Sequence, residues 1–330
     1  MDAAQVAVIV LNWNGKQDTL ECLASLEAVT HPRCRVIMVD NGSSDGSVEA
    51  VQEAFPQTII LRNGRNLGYA GGNNVGIRYA LAQGYEYITI LNNDTLVSPD
   101  FLHILVEHYR RLPGPAVLSP MIYYHADPAR IWYAGAKWTG WGFRHLRYKE
   151  KDMGKKWNDM EPVDYAVGCC LLTSSEAFRK VGCFDERFFL FYEESDWCFR
   201  ARRLGIYSYL VPQAKIWHKV SVSFGGHMSP LMRYFLSRNS LLWAEMHLPR
   251  EEYIRFLGYR LRSLKKSIVP PWHLLENGAP LPKRLFWSCR TYAKTVKRNL
   301  SKPAVRAELL GLVHYFCRRF GSAPSSVMNS

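Results

Sequence analysis

Three short apolar runs in the first hundred residues each stop at a polar cluster. Residues 6–11 stop at Asn12-Trp13-Asn14-Gly15, residues 35–39 at Asp40-Asn41-Gly42-Ser43-Ser44-Asp45-Gly46, and residues 85–91 at Asn92-Asn93-Asp94. Between them, apolar positions recur at helical spacing over residues 19–26, 48–55 and 73–83. Short buried strands alternating with helices predict a mostly parallel sheet with helices on both faces. Ligands of such sheets bind beyond the carboxyl ends of the strands. All three polar clusters fall there.

A second half runs from about residue 118 to 223. Its pattern predicts a strand over 164–173 and a short helix over 175–181. An aromatic stretch, 184–192, leads into the acidic helix start Glu193-Glu194-Ser195-Asp196. That helix stops at Gly205 with Arg202 and Arg203 in its last turn, as the helix dipole favours. Residues 207–211 and 214–217 read as closing strands, the second ending at His218. Residues 135–161 are aromatic, basic and glycine-containing, a composition that predicts a mobile flap. Beyond Pro230 the pattern is helical, amphipathic and basic, broken by Pro249, Pro270-Pro271, Pro280 and Pro282, and residues 321–330 read as disordered.

Composition narrows the picture. At 330 residues with 48% hydrophobic content, the chain can build a full core, and global disorder is excluded. No run approaches the roughly 18–20 apolar residues of a membrane-spanning helix. The first run lacks a basic flank and is too short for a signal peptide, so the chain is expected to stay in the cytosol. The cysteines Cys22, Cys34, Cys169, Cys170, Cys183, Cys198, Cys289 and Cys317 form no C-x-x-C pair and read as free thiols. The net charge of +13 is uneven: from Gly225 onward stand 18 Lys or Arg against 5 Asp or Glu, while the first 224 residues balance at 24 of each. The tail therefore calls for an anionic partner, membrane phosphate ahead of nucleic acid.

Each candidate site residue has a plainer structural reading beside the chemical one. Asp40 can accept the imide N–H of a uracil or thymine ring, or it can cap a loop rich in turn formers. The stretch Arg65-Asn66-Leu67-Gly68-Tyr69-Ala70-Gly71-Gly72-Asn73-Asn74 reads as a glycine-rich turn opening a helix. Its N–H groups and Arg65 suit a diphosphate, or the glycines serve only tight packing. It matches neither a Walker loop nor G-x-G-x-x-G, so a kinase or dehydrogenase gains no support. Asn92-Asn93-Asp94 places one carboxylate where a divalent cation on a diphosphate needs oxygen ligands, or it is a strand-end turn. His218, beside Trp217, reads first as a packed core histidine. Glu193, Glu194 and Asp196 either favour the helix N-terminus, with Asp196 pairing to Arg200 at i,i+4, or include one general base. Neighbouring helical residues diverge by about 100°, so at most one acid serves as that base.

Taken in order, these motifs, together with Gly168, Phe184-Asp185-Glu186, Phe188-Phe189 and Trp217-His218, resemble the family 2 inverting glycosyltransferases of GT-A fold, especially the rhamnosyltransferase-like branch. The resemblance covers about residues 5–240. It implies the GT-A (nucleotide-diphospho-sugar transferase) fold as a catalytic domain over 1–228, with a donor half to about 117 and an acceptor half from 118. A basic amphipathic helical region follows over 229–330. It implies a donor site at Asn12, Asp40, Asn41, Arg65, Asn66, Gly68, Tyr69, Asn73 and Asn93, with Asp40 reading the pyrimidine. It implies Mg2+ or Mn2+ on Asp94 and His218, Glu194 as general base, and Asp196 oriented toward the acceptor. Arg238-Asn239 matches the R-N pair that commonly follows the domain. The sequence departs from the family in reading Asn-Asn-Asp for D-x-D and Glu-Glu for E-D.

The implied reaction is inverting transfer of a sugar, rhamnose first among candidates, from a dTDP- or UDP-sugar to a lipid-linked or saccharide acceptor. Galactofuranose, N-acetylglucosamine and glucose are the alternative sugars. Cell-surface polysaccharide or glycolipid assembly is the expected setting. A nucleotidyltransferase would need a basic triphosphate loop near the first strand, where only Lys16 stands. A silent carbohydrate-binding protein would not need Asp94, Glu194 and His218 together. In the tail, Arg255, Arg260, Arg262, Lys265 and Lys266 alternate with Tyr253, Ile254, Phe256, Leu257, Tyr259, Leu261, Leu264 and Ile268. A second basic set follows at Lys283, Arg284, Arg290, Lys294, Lys297 and Arg298, beside Leu285, Phe286 and Trp287. Such helices predict a peripheral enzyme at the inner face of an anionic membrane, with packing on the catalytic domain or a homodimer as the alternative and no nucleic-acid partner.

Overall fold

The computed structural model describes residues 4–154, 157, 160–220, 229–269 and 281–328, and of residues 281–290 and 328 the backbone alone. It divides into two compact units, Met1–Ser221 and Val222–Ser330.

In the first unit the apolar runs become β1 (Val6–Asn12), β2 (Cys34–Asp40) and, after the short edge strand β3 (Ile59–Arg62), β4 (Tyr87–Asn92). They alternate with α1 (Lys16–Glu27), α2 (Ser47–Ala54) and α3 (Gly68–Ala82). β1 lies between β2 and β4, all parallel, with Asn12 opposite Asp40 and Leu11 opposite Asn92. Strands that end in register bring their polar ends to one line. α3 lies close on β1 because a Cβ on Gly72 would stand 2.5 Å from Leu11, and one on Gly76 2.6 Å from Ile9.

The second half is mixed in strand sense. β5 (Thr95–Val97), α4 (Phe101–Arg110), β6 (Val117–Tyr124) and β7 (Asp127–Tyr133) precede a small hairpin, β8 (Ala136–Trp138) and β9 (Phe143–His145). β10 (Glu161–Val163), β11 (Cys170–Ser174), α5 (Ser175–Val181), α6 (Glu193–Arg203) and β12 (Ser208–His218) follow. The large sheet runs β10-β12-β6-β11-β4-β1-β2-β3, with β5 on β12 and β7 on β6. β11 enters antiparallel to both neighbours.

Three expectations change here. The strand expected over 164–173 forms only from Cys170, because residues 165–167 are irregular and a turn at Gly168-Cys169 precedes it, closed by the Cys170 N–H on the Val167 carbonyl. The two closing strands are one, β12, with an irregularity between Val211 and Lys215. The flap expected over 135–161 holds the β8–β9 hairpin, whose Phe143 packs edge-on against Tyr165 at 4.6 Å and Trp138 at 5.1 Å. Lys155, Lys156, Asn158 and Asp159 of that stretch lie outside the described residues. The cysteines with described side chains are all free thiols, and burial pushes Cys22 up to about 12.

The second unit is helical: α7 (Pro230–His247), α8 (Arg250–Ile268), α9 (Leu281–Ser301), α10 (Pro303–Phe316) and the short α11 (Ser325–Met328). Its centre is Arg238, fully buried, whose guanidinium donates to Asn239 Oδ1 (2.9 Å), the Tyr234 hydroxyl (3.3 Å) and the Gly321 carbonyl (2.6 Å). Arg238 thus ties α7 to the segment that follows α10. It also corrects the disorder expected over 321–330 as far as residue 328, the last described: a buried guanidinium needs acceptors, Gly321 supplies one, and Ala323 and Val327 are buried. The prolines at 270, 271 and 280, the expected boundary at 228/229, and the side chains of Lys283, Arg284, Leu285, Phe286, Trp287, Cys289 and Arg290 lie outside what is described. No helix among the described residues is long and apolar enough to cross a membrane.

Candidate active site

The ends of β1 and β2 carry a closed hydrogen-bond network. Asn12 Nδ2 donates to Asp40 Oδ1 and to Ser43 Oγ, both at 3.1 Å. Its Oδ1 accepts from Thr19 Oγ1 (2.8 Å) and the Gly15 N–H (3.2 Å). Asp40 Oδ2 accepts the Ser43 N–H at 3.1 Å. Asn93 Nδ2 joins through Thr19 Oγ1 at 2.9 Å. Asp40 is buried with one hydrogen bond on each oxygen, so each keeps a lone pair for a further donor.

Asn41 and the start of α3 differ from expectation. Asn41 Nδ2 donates to Asn66 Oδ1 (2.9 Å) and the Gly68 carbonyl (3.1 Å), while its Oδ1 accepts from Asn63 Nδ2 (3.1 Å) and the Leu67 N–H (3.0 Å). The Gly68 N–H goes to Asn66 Oδ1 at 2.7 Å. The Tyr69 and Ala70 N–H groups both reach the Phe189 carbonyl, at 2.6 and 3.2 Å. The donors of the first helical turn are therefore satisfied from within, and the glycine-rich stretch is not a diphosphate cradle. It begins the helix itself and docks the segment that precedes α6. Gly68, at φ +74°, is required at this junction, since a Cβ there would sit 2.5 Å from the Phe189 carbonyl oxygen. The Tyr69 hydroxyl donates to the Gly168 carbonyl at 2.5 Å, and Asn73 Nδ2 to the Tyr69 carbonyl at 3.0 Å. Asn41, Asn66, Gly68, Tyr69 and Asn73 hold the shape of the site. Of the expected phosphate contacts, Arg65 alone is exposed beside this network.

Asp94 and His218 meet where β5 pairs with β12. The His218 Nε2 lies 3.1 and 3.2 Å from the two Asp94 oxygens, and the Lys219 N–H donates to the Asp94 carbonyl at 2.9 Å. Both side chains are buried. The His218 ring meets Trp132 edge-on at 4.5 Å, and its Nδ1 has no hydrogen-bond partner among the described residues. Lys219 Nζ bridges Asp18 (2.7 Å) and Glu21 (2.5 Å) of α1, which fixes the end of β12 against the donor half. Sequence reasoning passed over Lys219, although its place next to His218 was a signal.

The acids at the start of α6 are set by a strained approach. Phe189, Phe191 and Tyr192 have φ of +63°, +66° and +78°, a region costly for residues with a Cβ. Glu193 is buried, and Glu194 retains some surface while its Oε2 is enclosed. The Oε2 atoms of both residues lack a hydrogen-bond partner among the described residues. Burial raises the Glu193 carboxyl well above the ordinary range, and the adjacent Glu194 charge adds to it. Burial also raises Glu194, opposed by hydrogen bonds from its own N–H and those of Gly168 and Ser195. Tyr69, Tyr133 and Tyr165 are raised well above normal by burial first, with the Glu194 charge also acting on each.

Asp196 does not face an acceptor. It is fully buried, Arg200 Nε donates to it at 2.9 Å, and the same guanidinium donates to the Val181 and Cys183 carbonyls at 2.8 and 2.9 Å. The i,i+4 pairing anticipated from spacing determines its place, and Asp196 serves to fix α6. Residues 168–169 connect the acids to the strand ends: the Asn92 N–H donates to the Cys169 carbonyl at 2.9 Å, one residue beyond Gly168. A cleft of about 510 Å³ at the opposite end of the sheet, lined in part by Tyr85, Tyr109, Arg110 and Arg179, contains none of these groups.

The family model described as Glycosyl transferase family 2 matches residues 7–182. The chain is 30% identical over 203 residues to the low-salt glycan biosynthesis hexosyltransferase Agl10 of Haloferax volcanii, spanning 61% of this chain and 62% of that protein. It is 28% identical over 233 residues to the N-acetylglucosaminyl-diphospho-decaprenol L-rhamnosyltransferase of Mycobacterium tuberculosis, spanning 62% and 72%. Among solved structures it is similar to a mannosyltransferase of Pyrobaculum calidifontis in complex with GDP-Man and Mn2+, with a TM-score of 0.56 at 15% identity over 97% of this chain and 88% of that one. That likeness concerns the fold, which is the GT-A arrangement of a central sheet flanked by helices.

Proposed function

The chain belongs to glycosyl transferase family 2, and we infer from its site that it moves a sugar, with inversion, from a dTDP- or UDP-sugar to an acceptor hydroxyl. The observation that carries this reading is Glu194, an enclosed acid with an unpartnered oxygen, tied through residues 168–169 to the strand ends that bear Asp40 and Asp94. Asp40 accepts the imide N–H of the pyrimidine with the lone pairs left free by Asn12 and Ser43. Arg65 supplies charge near the phosphates. Glu194 takes the proton of the attacking hydroxyl at Oε2, and its burial brings it closer to a base matched to neutral pH. A single base on the face opposite the leaving group suffices for inversion.

A divalent cation, Mg2+ or Mn2+, fits Asp94 and His218. A carboxylate and an imidazole converge there, with other positions left for diphosphate oxygens and water. No third His, Cys, Asp or Glu joins them among the described residues. When bound, such an ion offsets the charge of the departing diphosphate.

Rhamnose is the sugar proposed first and a lipid-linked saccharide the acceptor, because the mycobacterial relative is named for both. The boundary near residue 228 and a role in cell-surface glycan assembly are part of the same proposal. A surface role at an anionic membrane rests on α8, where Arg255, Arg262, Lys265 and Lys266 share the exposed side with Ile254 and Leu261. Phe256 and Leu264 of that helix are buried, so charge rather than apolar insertion is the main attraction.

Incubating the protein with a panel of dTDP-, UDP- and GDP-sugars, with Mg2+, Mn2+ or excess chelator, and scoring nucleoside diphosphate release tests the proposal. Release from a dTDP- or UDP-sugar, lost with chelator, is expected. Release from GDP-sugars alone, or from none, contradicts it. Unchanged release in chelator removes the cation and returns His218 to a packing role.

A further inference from the structure

After β9 the chain runs back along β7. Leu146 N–H donates to the Gly135 carbonyl (2.9 Å), Lys149 N–H to Ile131 (2.8 Å), Ile131 N–H to Glu150 (2.9 Å) and Asp152 N–H to Ala129 (2.7 Å). Pairing holds on both sides of Tyr148, yet Arg147 and Lys149 around it have φ of +51° and +66°. Two left-handed residues with side chains are a standing cost of about 1–2 kcal/mol each. Such bulges re-aim a side chain next to active sites.

This bulge holds Tyr148 outward, at 43% exposure. Its ring lies 6.1 Å from His145 and 6.4 Å from Tyr124. His145 meets Trp132 edge-on at 6.0 Å, and Trp132 meets His218 at 4.5 Å. Tyr124 reaches the same place by another route, standing opposite His218 in the β6–β12 register. One chain of rings, His218–Trp132–His145, thus leads from the Asp94–His218 corner to one exposed tyrosine, and Tyr124, paired with His218 in strand register, meets the same ring. On the other flank, Phe143, on the same face of β9 as His145, lies 6.4 Å from Tyr192, which precedes the acids of α6. The aromatic wall spans the interval between the diphosphate end of the site and the base.

A core has no use for an aromatic residue exposed at the cost of backbone strain. A pyranose ring has one: its axial C–H face is apolar and packs on an aromatic face, while its rim of hydroxyls takes polar partners. Polar partners are at hand: the Tyr124 and Tyr148 hydroxyls, and the Lys149 ammonium, which lies over one face of the Tyr148 ring, 5.2 Å from its centre, so that a sugar would pack on the other face. We propose that Tyr148, with Tyr124, His145 and Trp132, forms an acceptor subsite that takes a pyranose ring of a saccharide acceptor. The inference rests on the proposed sugar transfer, because only there does the wall adjoin a donor. It makes the acceptor a saccharide rather than a simple alcohol or a bare lipid phosphate.

Saturation-transfer NMR on the full chain, with methyl hexopyranosides of gluco, galacto, manno and N-acetylglucosamine configuration as probes and cyclohexanol as control, tests it. At least one pyranoside should receive saturation on its axial C–H protons and cyclohexanol none. Tyr148→Ala should reduce the transfer at least fivefold, and Tyr148→Phe should keep most of it. Thermal melts of both variants establish that the fold is intact. Nucleoside diphosphate release from the donor, measured on the wild-type chain, reports on the proposed function by itself and so separates its failure from that of this inference. Equal saturation in Tyr148→Ala, or none from any pyranoside while donor turnover proceeds, overturns the subsite.

Discussion

The two clusters at the carboxyl side of the sheet are built on opposite terms. Around Asn12 and Asn41, nearly every polar atom has found another: Asn41 alone makes four hydrogen bonds, and the first turn of α3 has its donors satisfied by Asn41, Asn66 and Phe189. Around Glu193 and Glu194 the matching is incomplete. Two enclosed carboxyls share a helix start behind a strained turn, and each keeps an oxygen without a hydrogen-bond partner among the described residues. Buried polar groups are normally satisfied, and exceptions concentrate at functional positions. On the proposed reading Asn12 and Asn41 frame the site, Asp40 keeps its free lone pairs for the donor, and the acids of α6 carry the chemistry. Substitutions should divide the same way, with those in the frame changing stability and those at the acids changing turnover.

The largest effect belongs to the acids. Glu194→Gln should lower turnover on the order of 10²–10⁴ while leaving donor affinity within about twofold, as expected for loss of a general base. Steady-state release assays beside calorimetric titration with UDP or dTDP measure both quantities. Near-normal turnover would move the base to Glu193.

Next comes Asp196→Asn, which breaks the pair with Arg200. Leaving that guanidinium beside the Val181 and Cys183 carbonyls without its carboxylate should cost roughly 2–4 kcal/mol of stability. Denaturant unfolding should show the loss, and turnover per folded molecule should stay within a few-fold. A drop in turnover like that of Glu194→Gln, with unchanged stability, would return Asp196 to the acceptor side.

Asn41→Ala sharpens the comparison from the frame. It strands the Leu67 N–H and the Asn66 and Gly68 oxygens, which should cost about 1–3 kcal/mol. Donor affinity should change little, because the Asn41 side-chain amide already has its four hydrogen bonds. A tenfold loss of nucleotide affinity in a stably folded variant would place Asn41 in the binding surface after all.

Much of this was legible in the sequence, and the gaps have physical causes. Apolar runs ending in polar clusters located β1, β2 and β4, because a strand buried on both faces leaves few other readings. Asp196 was legible from its i,i+4 partner. The start of α3 was not: glycines in a turn and glycines packing a helix onto a strand look alike until Leu11 and Ile9 are seen beneath them. The use of its N–H donors depended on Phe189, more than a hundred residues away. The order of residues 321–328 likewise depended on Arg238, and the Tyr148 bulge on backbone angles that no side-chain pattern records.

The decisive measurement for Glu194 as the base is the pH dependence of nucleoside diphosphate release. Burial lifts the Glu194 carboxyl above the ordinary carboxylate range. As a base it must be ionised, so kcat/KM should climb with pH through that raised value and not below it. Folding responds in the opposite sense, because a raised carboxyl favours the protonated native state. Its contribution to stability is full in acid and fades as pH rises through the same value. The account predicts an acid limb above the ordinary carboxylate range in wild type that no longer governs the residual rate of Glu194→Gln. A limb at or below that range, or one that Glu194→Gln leaves in place, would contradict it.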